Sequence, residues 1–345
     1  MLRAAIVGLG FVGAGDQVSG DVIGQQVAHL DGTHAQGLLA DERVQLAAGA
    51  SRDPGRRERF TQRTGVAATY ADWHEMLARE RPDIVAVSTN SPYHAEVTIA
   101  CAEAGARAVL CEKPIATRLA DADRMVEVCR SRGTLLAINH NRRWHPMWRE
   151  VKDAIRASEL GPLRSIVVRW PTGRLGNVGT HMFDSIRYLM DSDAAAVSGT
   201  LDLEVAPDCR GTEYHDPGGW GIIRFQNGVR AFVDAGQANK GPGELRVIGD
   251  AGQAVLWGES ASIEKRTGAP RHLVDRRDQR PSSVALAVRD IVDCLLGGGT
   301  PRSTGQDGVA ALEMIIAFHV SDKRQGARVE LPLRDADRQT EVRIG

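Results

Sequence analysis

Residues Ala4–Gly8 form a short apolar run that leads straight into Gly8-Leu9-Gly10-Phe11-Val12-Gly13. Few patterns restrict a fold more. Such a run reads as a strand covered on both faces. Glycines spaced G-x-G-x-x-G directly behind it allow a tight turn and close approach of backbone N–H groups to a phosphate. The stretch up to Arg143 keeps the alternation expected of βαβ units. Strands are expected at Gln45–Ser51, Ile84–Ser88, Ala108–Cys111 and Thr134–Asn139. Helices are expected between them, at Pro54–Thr64, Asp72–Arg79, Ala95–Ala104 and Leu119–Arg132. Asp53-Pro54 supplies a cap with proline in the first helical position, and Gly105 and Gly133 close two of the helices.

Beyond Arg143 the style changes. One amphipathic helix (Trp148–Ala157) is followed by β-rich segments, several joined by turns such as Gln226-Asn227-Gly228. The expected architecture is an α/β Rossmann dinucleotide-binding domain over residues 1–143. An α+β C-terminal domain with a largely antiparallel open sheet follows over 144–345. The latter is expected to bind substrate and to oligomerise.

A formal net charge of −1 offers no basic field for nucleic acid and no polybasic patch for anionic lipid. Neither nucleic acid nor membrane is therefore expected as a partner. The five cysteines are scattered without metal-ligand spacing, which fits free thiols and a cytoplasmic setting. His29, Asp31 and His34 complete no ligand set, so no metal is expected.

Several residues carry candidate chemistry. Ser51 stands at the end of the second strand, where an acid would hold the adenosine ribose, and Arg52 brings a guanidinium suited to a phosphate. NADP is therefore preferred over NAD, with Asp53 explained as a helix cap. The alternative makes Arg52 a solvated side chain and gives Asp53 the ribose. Thr89-Asn90, with His94 behind them, leave the Ile84–Ser88 strand and suit a turn against nicotinamide or ribose, although an ordinary connection has the same look. Glu112-Lys113-Pro114 leaves the next strand, and a lysine there can reach both cofactor and substrate.

Further on, Asn177, His181 and Asp184 are spaced to share one helix face. An imidazole flanked by an amide and a carboxylate suits a general base for a hydroxyl proton, though a lone histidine is more often structural. The Asn139–Trp144 segment, with Arg142 and Trp144 as candidate substrate contacts, reads as polar cleft lining or as an exposed hinge. Ala14–Gly32 is loop-like where a helix should begin. It is expected to cover part of the active-site mouth, or to contain a short helix around Ile23–Leu30.

Taken in order, these motifs resemble the Gfo/Idh/MocA oxidoreductases. The likeness rests on the fingerprint, Ser-Thr-Asn-Ser-Pro-Tyr-His at 88–94, Cys-Glu-Lys-Pro at 111–114, Asn-Arg-Arg at 141–143, and Gly-Thr-His-Met-Phe-Asp at 179–184. It extends to Gly305–Gly308 and Val329–Leu333. The resemblance implies a sugar-like substrate, NADP or NAD as cofactor, and a homodimer or homotetramer. It implies that Lys113 bridges the reacting hydroxyl and the nicotinamide ribose, and that His181 is the general acid/base. Asn177 falls where many members carry an aspartate, and an asparagine can hold a hydroxyl but cannot accept its proton. The reading is hydride transfer at a secondary alcohol or ketone of a sugar, sugar acid or cyclitol. Its rivals are redox-assisted glycoside cleavage on the same fold and a non-catalytic dinucleotide or sugar sensor.

Overall fold

The computed structural model of the chain describes residues 1–17, 26–171, 173–203, 211, 213–236 and 238–344. In chain order the first part contains β1 (Leu2–Val7), α1 (Phe11–Ala14), α2 (His34–Leu39), β2 (Val44–Ala50) and α3 (Pro54–Thr64). It continues with β3 (Thr69–Tyr70), α4 (Trp73–Glu80), β4 (Ile84–Val87), α5 (His94–Glu103), β5 (Ala108–Cys111), α6 (Leu119–Arg132) and β6 (Leu135–Ile138). The second part opens with α7 (Pro146–Arg156), β7 (Leu163–Arg169), α8 (Gly179–Met190), β8 (Ala194–Asp202), β9 (Gly218–Phe225) and β10 (Arg230–Ala235). Then come β11 (Glu244–Gly249), β12 (Gly252–Trp257), β13 (Ser260–Lys265), β14 (Arg271–Val274), α9 (Ser283–Gly297), α10 (Gly305–Lys323) and β15 (Val329–Glu330).

Two compact units result. One holds Met1–Trp144 with Arg277–Gly308; the other holds residues 145–203, 213–276 and 309–344. In the first unit, six parallel strands run in the order β3-β2-β1-β4-β5-β6 among the described residues. The order reverses between β1 and β4, and open sheets of this kind bind ligands beyond the carboxyl ends of the strands at that point. The strands β4 and β5 are buried at every residue, as near-continuous apolar runs require. Expected caps are in place: the Asp53 carboxylate accepts from Arg56 N at 3.1 Å, and Gly65 ends α3 at φ 75°.

Helix α9 is far away in sequence, yet Ala287, Val288, Ile291 and Val292 join the core cluster of this first unit. Trp144 lies in that cluster too. It is 2% exposed, and its indole N–H donates to Asp290 Oδ2 at 3.0 Å. This corrects the expectation that Trp144 meets substrate: its ring and its polar atom are both spent on the core. Of the Ala14–Gly32 stretch expected to cover the mouth, residues 18–25 lie outside the described residues. The neighbouring residues form one helical turn at α1, closed by Gly15 at φ 73°, then a 3-10 turn at Val27–His29, then α2.

In the second unit a nine-stranded sheet runs β14-β13-β12-β11-β7-β10-β9-β8-β15 among the described residues. Every neighbouring pair is antiparallel except β7 and β10. Strand alternation gives this sheet two unlike faces. One is apolar, and there Phe318 of α10 lies against Gly199 and Gly221, where a Cβ would collide with its ring. Phe183 of α8 stacks on Phe318 at 5.5 Å and meets Trp170 edge-on at 5.8 Å. On the other face Val167, Trp220, Phe232 and Trp257 are exposed. No described helix is long and apolar enough to cross a membrane.

Candidate active site

Five of the loops that leave the carboxyl edge of the first sheet carry residues singled out above. At the switch point, Gly8 adopts φ +102°, and a Cβ on it would sit 2.5 Å from the Ser88 carbonyl oxygen. A Cβ on Gly13 would sit 2.0 Å from Gly8 O and 2.4 Å from Ser88 Oγ. The Ser88 hydroxyl donates to Gly8 O at 2.7 Å, so the β1 and β4 loops are sewn together. Only bare backbone fits this cradle. Gly10, Phe11 and Val12 carry it into the first turn of α1, where N–H groups lack helical partners. The observed geometry therefore suits a dinucleotide pyrophosphate.

At the end of β2, Ser51 Oγ accepts from Asp53 N at 3.3 Å, and Asp53 is committed to its cap. Of the α3 arginines, Arg57 donates to the backbone carbonyls of Ser51 (2.6 Å) and Arg52 (3.0 Å), and three others turn elsewhere. Arg59 makes a two-pronged contact with buried Asp16 (2.8 and 2.9 Å), with Arg56 and Arg63 at 3.5 and 3.6 Å. These guanidiniums hold the Asp16 carboxyl below its usual pKa against the opposing effect of burial. Arg52 is exposed and ion-pairs with no described residue.

His94 corrects an expectation. It is buried, with Nδ1 2.8 Å from Pro114 O and Nε2 2.9 Å from Thr89 O. Burial lowers its pKa against the pull of both carbonyls. Rather than touching a cofactor, His94 braces the Thr89-Asn90 turn against the Lys113-Pro114 turn. Asn90 stands at the N-cap position of the short 3-10 turn Ser91–Tyr93 without a side-chain cap bond.

The Glu112-Lys113 turn is tied down more tightly still. Glu112 Oε1 accepts from Asn139 Nδ2 at 2.6 Å and from His34 Nε2 at 2.9 Å, while Oε2 takes the backbone N–H of Lys113 at 3.3 Å. Burial alone would raise this carboxyl; His34, the Lys113 ammonium and Asn139 outweigh it and hold its pKa at about 2. Neither His34 nor Asn139 was legible as a partner of Glu112. They lie 78 and 27 residues away from Glu112, and neither sits at a recognisable spacing. Arg142 is half-buried in the 3-10 turn Asn141–Arg143, whereas Arg143 is buried on Asp307 at 3.0 Å.

The second unit carries the other candidates. His181 is half-buried on α8, and Asp184, three residues on, is fully buried. Asn177 departs from the expected shared helix face. Helix α8 begins only at Gly179, because the carboxylate of buried Asp216 takes the N–H groups of Gly176 (2.6 Å) and Asn177 (2.7 Å) and holds them in a turn. Asp216 is a positioning residue that no nearby motif announces.

Comparison with known families settles the class. Residues 2–140 match the profile of the Gfo/Idh/MocA oxidoreductase family with its NAD-binding Rossmann fold, and residues 148–255 match the Gfo/Idh/MocA C-terminal domain. The chain is a Gfo/Idh/MocA oxidoreductase. As a member of that family it is an NAD(P)-dependent dehydrogenase/reductase. This Gfo/Idh/MocA chain is 27% identical over 328 residues to D-apiose dehydrogenase of Paraburkholderia graminis, covering 85% of each. It is 24% identical to myo-inositol 2-dehydrogenase of Thermotoga maritima, over 90% of this chain and 93% of that one. Among solved structures, levoglucosan dehydrogenase with NADH and levoglucosan superposes with a TM-score of 0.81 at 19% identity, covering 96% of this chain and all of that one; at this identity the likeness is one of fold.

Proposed function

We propose that this enzyme moves hydride between NAD(P) and a secondary alcohol or ketone of a sugar, sugar acid or cyclitol. The observation that carries this reading is the place of Lys113. It follows β5 at the carboxyl edge that also holds the Gly8–Gly13 cradle, in a turn anchored by a charged carboxylate. Relatives named for apiose and inositol support the substrate class. When bound, NAD(P) takes up or supplies the hydride.

The protein's own groups do the rest. In oxidation His181 takes the hydroxyl proton as hydride leaves the same carbon, and Asp184, at i+3, orients the imidazole. Lys113 stabilises the charge that grows on the oxygen. Asn177 and Arg142 hold neighbouring substrate hydroxyls. The first unit, which takes in Trp144 and Arg277–Gly308 beyond the expected 1–143, serves as the dinucleotide domain, and the second unit binds substrate and pairs subunits. Thr89 and Asn90 line the nicotinamide ribose.

Ser51 and Arg52 read the adenosine end and favour NADP, because Arg52 is exposed just past β2 and ion-pairs with no described carboxylate. Fluorescence titration of cofactor-stripped protein tests this. NADPH is expected to bind tighter than NADH, and Arg52→Ala to weaken NADPH about 10- to 100-fold, the worth of a charge-assisted phosphate contact. An unchanged NADPH affinity in that variant returns the ribose to Asp53 and the preference to NAD.

The open sheet face is the proposed subunit interface. Across it, Trp220, Asp234, Arg169, Glu244 and Trp257 lie in one row of paired positions, with Ile222, Phe232, Val167 and Arg246 in the next. Both tryptophans are 59% exposed, and patches of this apolar character mark interaction surfaces. Light scattering should give the mass of a dimer or tetramer, and Phe232→Glu should give the monomer. A wild-type monomer at micromolar concentration rejects the interface.

A further inference from the structure

We propose that His34 is a positioning residue for Lys113, acting through the Glu112 carboxylate. The inference rests on the reading of Lys113 as catalytic, but its geometric half stands by itself.

An ionised carboxylate only accepts hydrogen bonds, so the 2.9 Å contact requires the proton on His34 Nε2. His34 Nδ1 is buried without a hydrogen-bond partner among the described residues, so Nε2 makes the ring's one polar contact. The ring itself is fully buried. Its donor and the Asn139 amide meet on the same oxygen, leaving Oε2 turned to the Lys113 N–H. Groups from α2 and from the end of β6 thus set the plane of the carboxylate, and the carboxylate sets the backbone of Lys113. The carboxylate is charged and the Lys113 ammonium lies within its field, so rotating it would shift both the backbone and the charge of the lysine.

His34 is itself held from both sides. Thr33 and Gln36 form a reciprocal capping box at 3.2 and 3.0 Å that fixes the first turn of α2, where His34 is the first helical residue. Just upstream, Asp31 is gripped by Arg280 at 3.0 and 3.1 Å and by the Ser283 hydroxyl. Gly37 packs so closely on Val284 that a Cβ would come within 3.0 Å of its side chain. A residue whose only task was to fill space would not need its donor aimed at a carboxylate.

The test compares His34→Leu, which removes the donor, with His34→Gln, whose amide nitrogen donates from nearly the same place. Two readouts are taken on the full chain: turnover on a substrate identified by screening, and acylation of Lys113 by a water-soluble ester, followed by mass spectrometry. The chain has only five lysines, and exposed Lys240 and Lys265 serve as internal references. In His34→Leu, kcat is expected to fall about 10-fold with little change in KM. Acylation of Lys113 is expected to rise at least about threefold relative to the references as the turn loosens. His34→Gln is expected to restore both. Unchanged acylation in His34→Leu overturns the proposal, as does equal loss in the Leu and Gln variants, which would mark His34 as packing alone. Full turnover in Lys113→Ala would instead remove the catalytic reading while the acylation pattern still reports the anchor, so the two failures separate.

Discussion

Lys113→Ala is expected to lower kcat by about 10²- to 10³-fold, roughly 3–4 kcal/mol of transition-state stabilisation. The size follows from what the side chain would do. As the hydroxyl gives up its proton and hydride departs, negative charge gathers on one oxygen. An ammonium fixed beside it acts mainly at that moment. The effect should appear in kcat, with KM and cofactor affinity changed far less. The backbone anchor survives the substitution, since Glu112 Oε2 holds the residue 113 N–H and not its side chain. The loss is therefore electrostatic and not a collapse of the turn. Near-normal turnover of Lys113→Ala on an identified substrate would falsify the proposed mechanism, and His181 would have to carry the chemistry unaided.

Trp144→Ala is expected to destabilise the protein by about 3–5 kcal/mol, the range for emptying a large buried aromatic site. Trp144 belongs to the same core cluster as residues of β1, β2, β5 and α9, so its loss opens a cavity in that core. The indole N–H adds a second cost. Asp290 Oδ2 receives it together with the backbone N–H of Arg302, and Trp144→Phe, which keeps most of the bulk, should still cost about 1–3 kcal/mol. Urea unfolding of both variants measures this. The competing role, as a substrate contact, makes the opposite forecast: a raised KM with an unchanged unfolding midpoint. That pattern would place the ring back in a binding pocket.

The contrast between Lys113 and Trp144 shows how far the chain could be read. Both stand just past strand ends in polar-looking segments, and both were assigned to the site. One is half-buried in a turn on the ligand-binding edge, and the other is a core residue. Neighbouring residues cannot tell these apart, because Asp290 is 146 positions from the indole it binds. The Asn177-His181-Asp184 spacing holds for His181 and Asp184 but not for Asn177. It is a valid helix rule, but Asp216 takes two backbone N–H groups that would otherwise enter the helix, and α8 starts two residues after Asn177. His94 had the right neighbourhood and a different task, since both of its nitrogens turned to backbone carbonyls.

What the sequence alone determined is local and steric. Apolar runs long enough for buried strands, Asp53 before Pro54, and glycines where a Cβ would strike backbone within 2.0–2.5 Å all act over a few residues and survive any packing. These suffice for the Rossmann half, its cradle and the place of Lys113. Tertiary structure alone decided which distant groups converge: His34 and Asn139 on Glu112, Trp144 on Asp290, α9 on the first unit, and Asp216 beneath Asn177. The reason is physical. A buried carboxylate or indole must find a partner somewhere, but burial specifies only that need, and the packing of the whole chain chooses the residue that meets it.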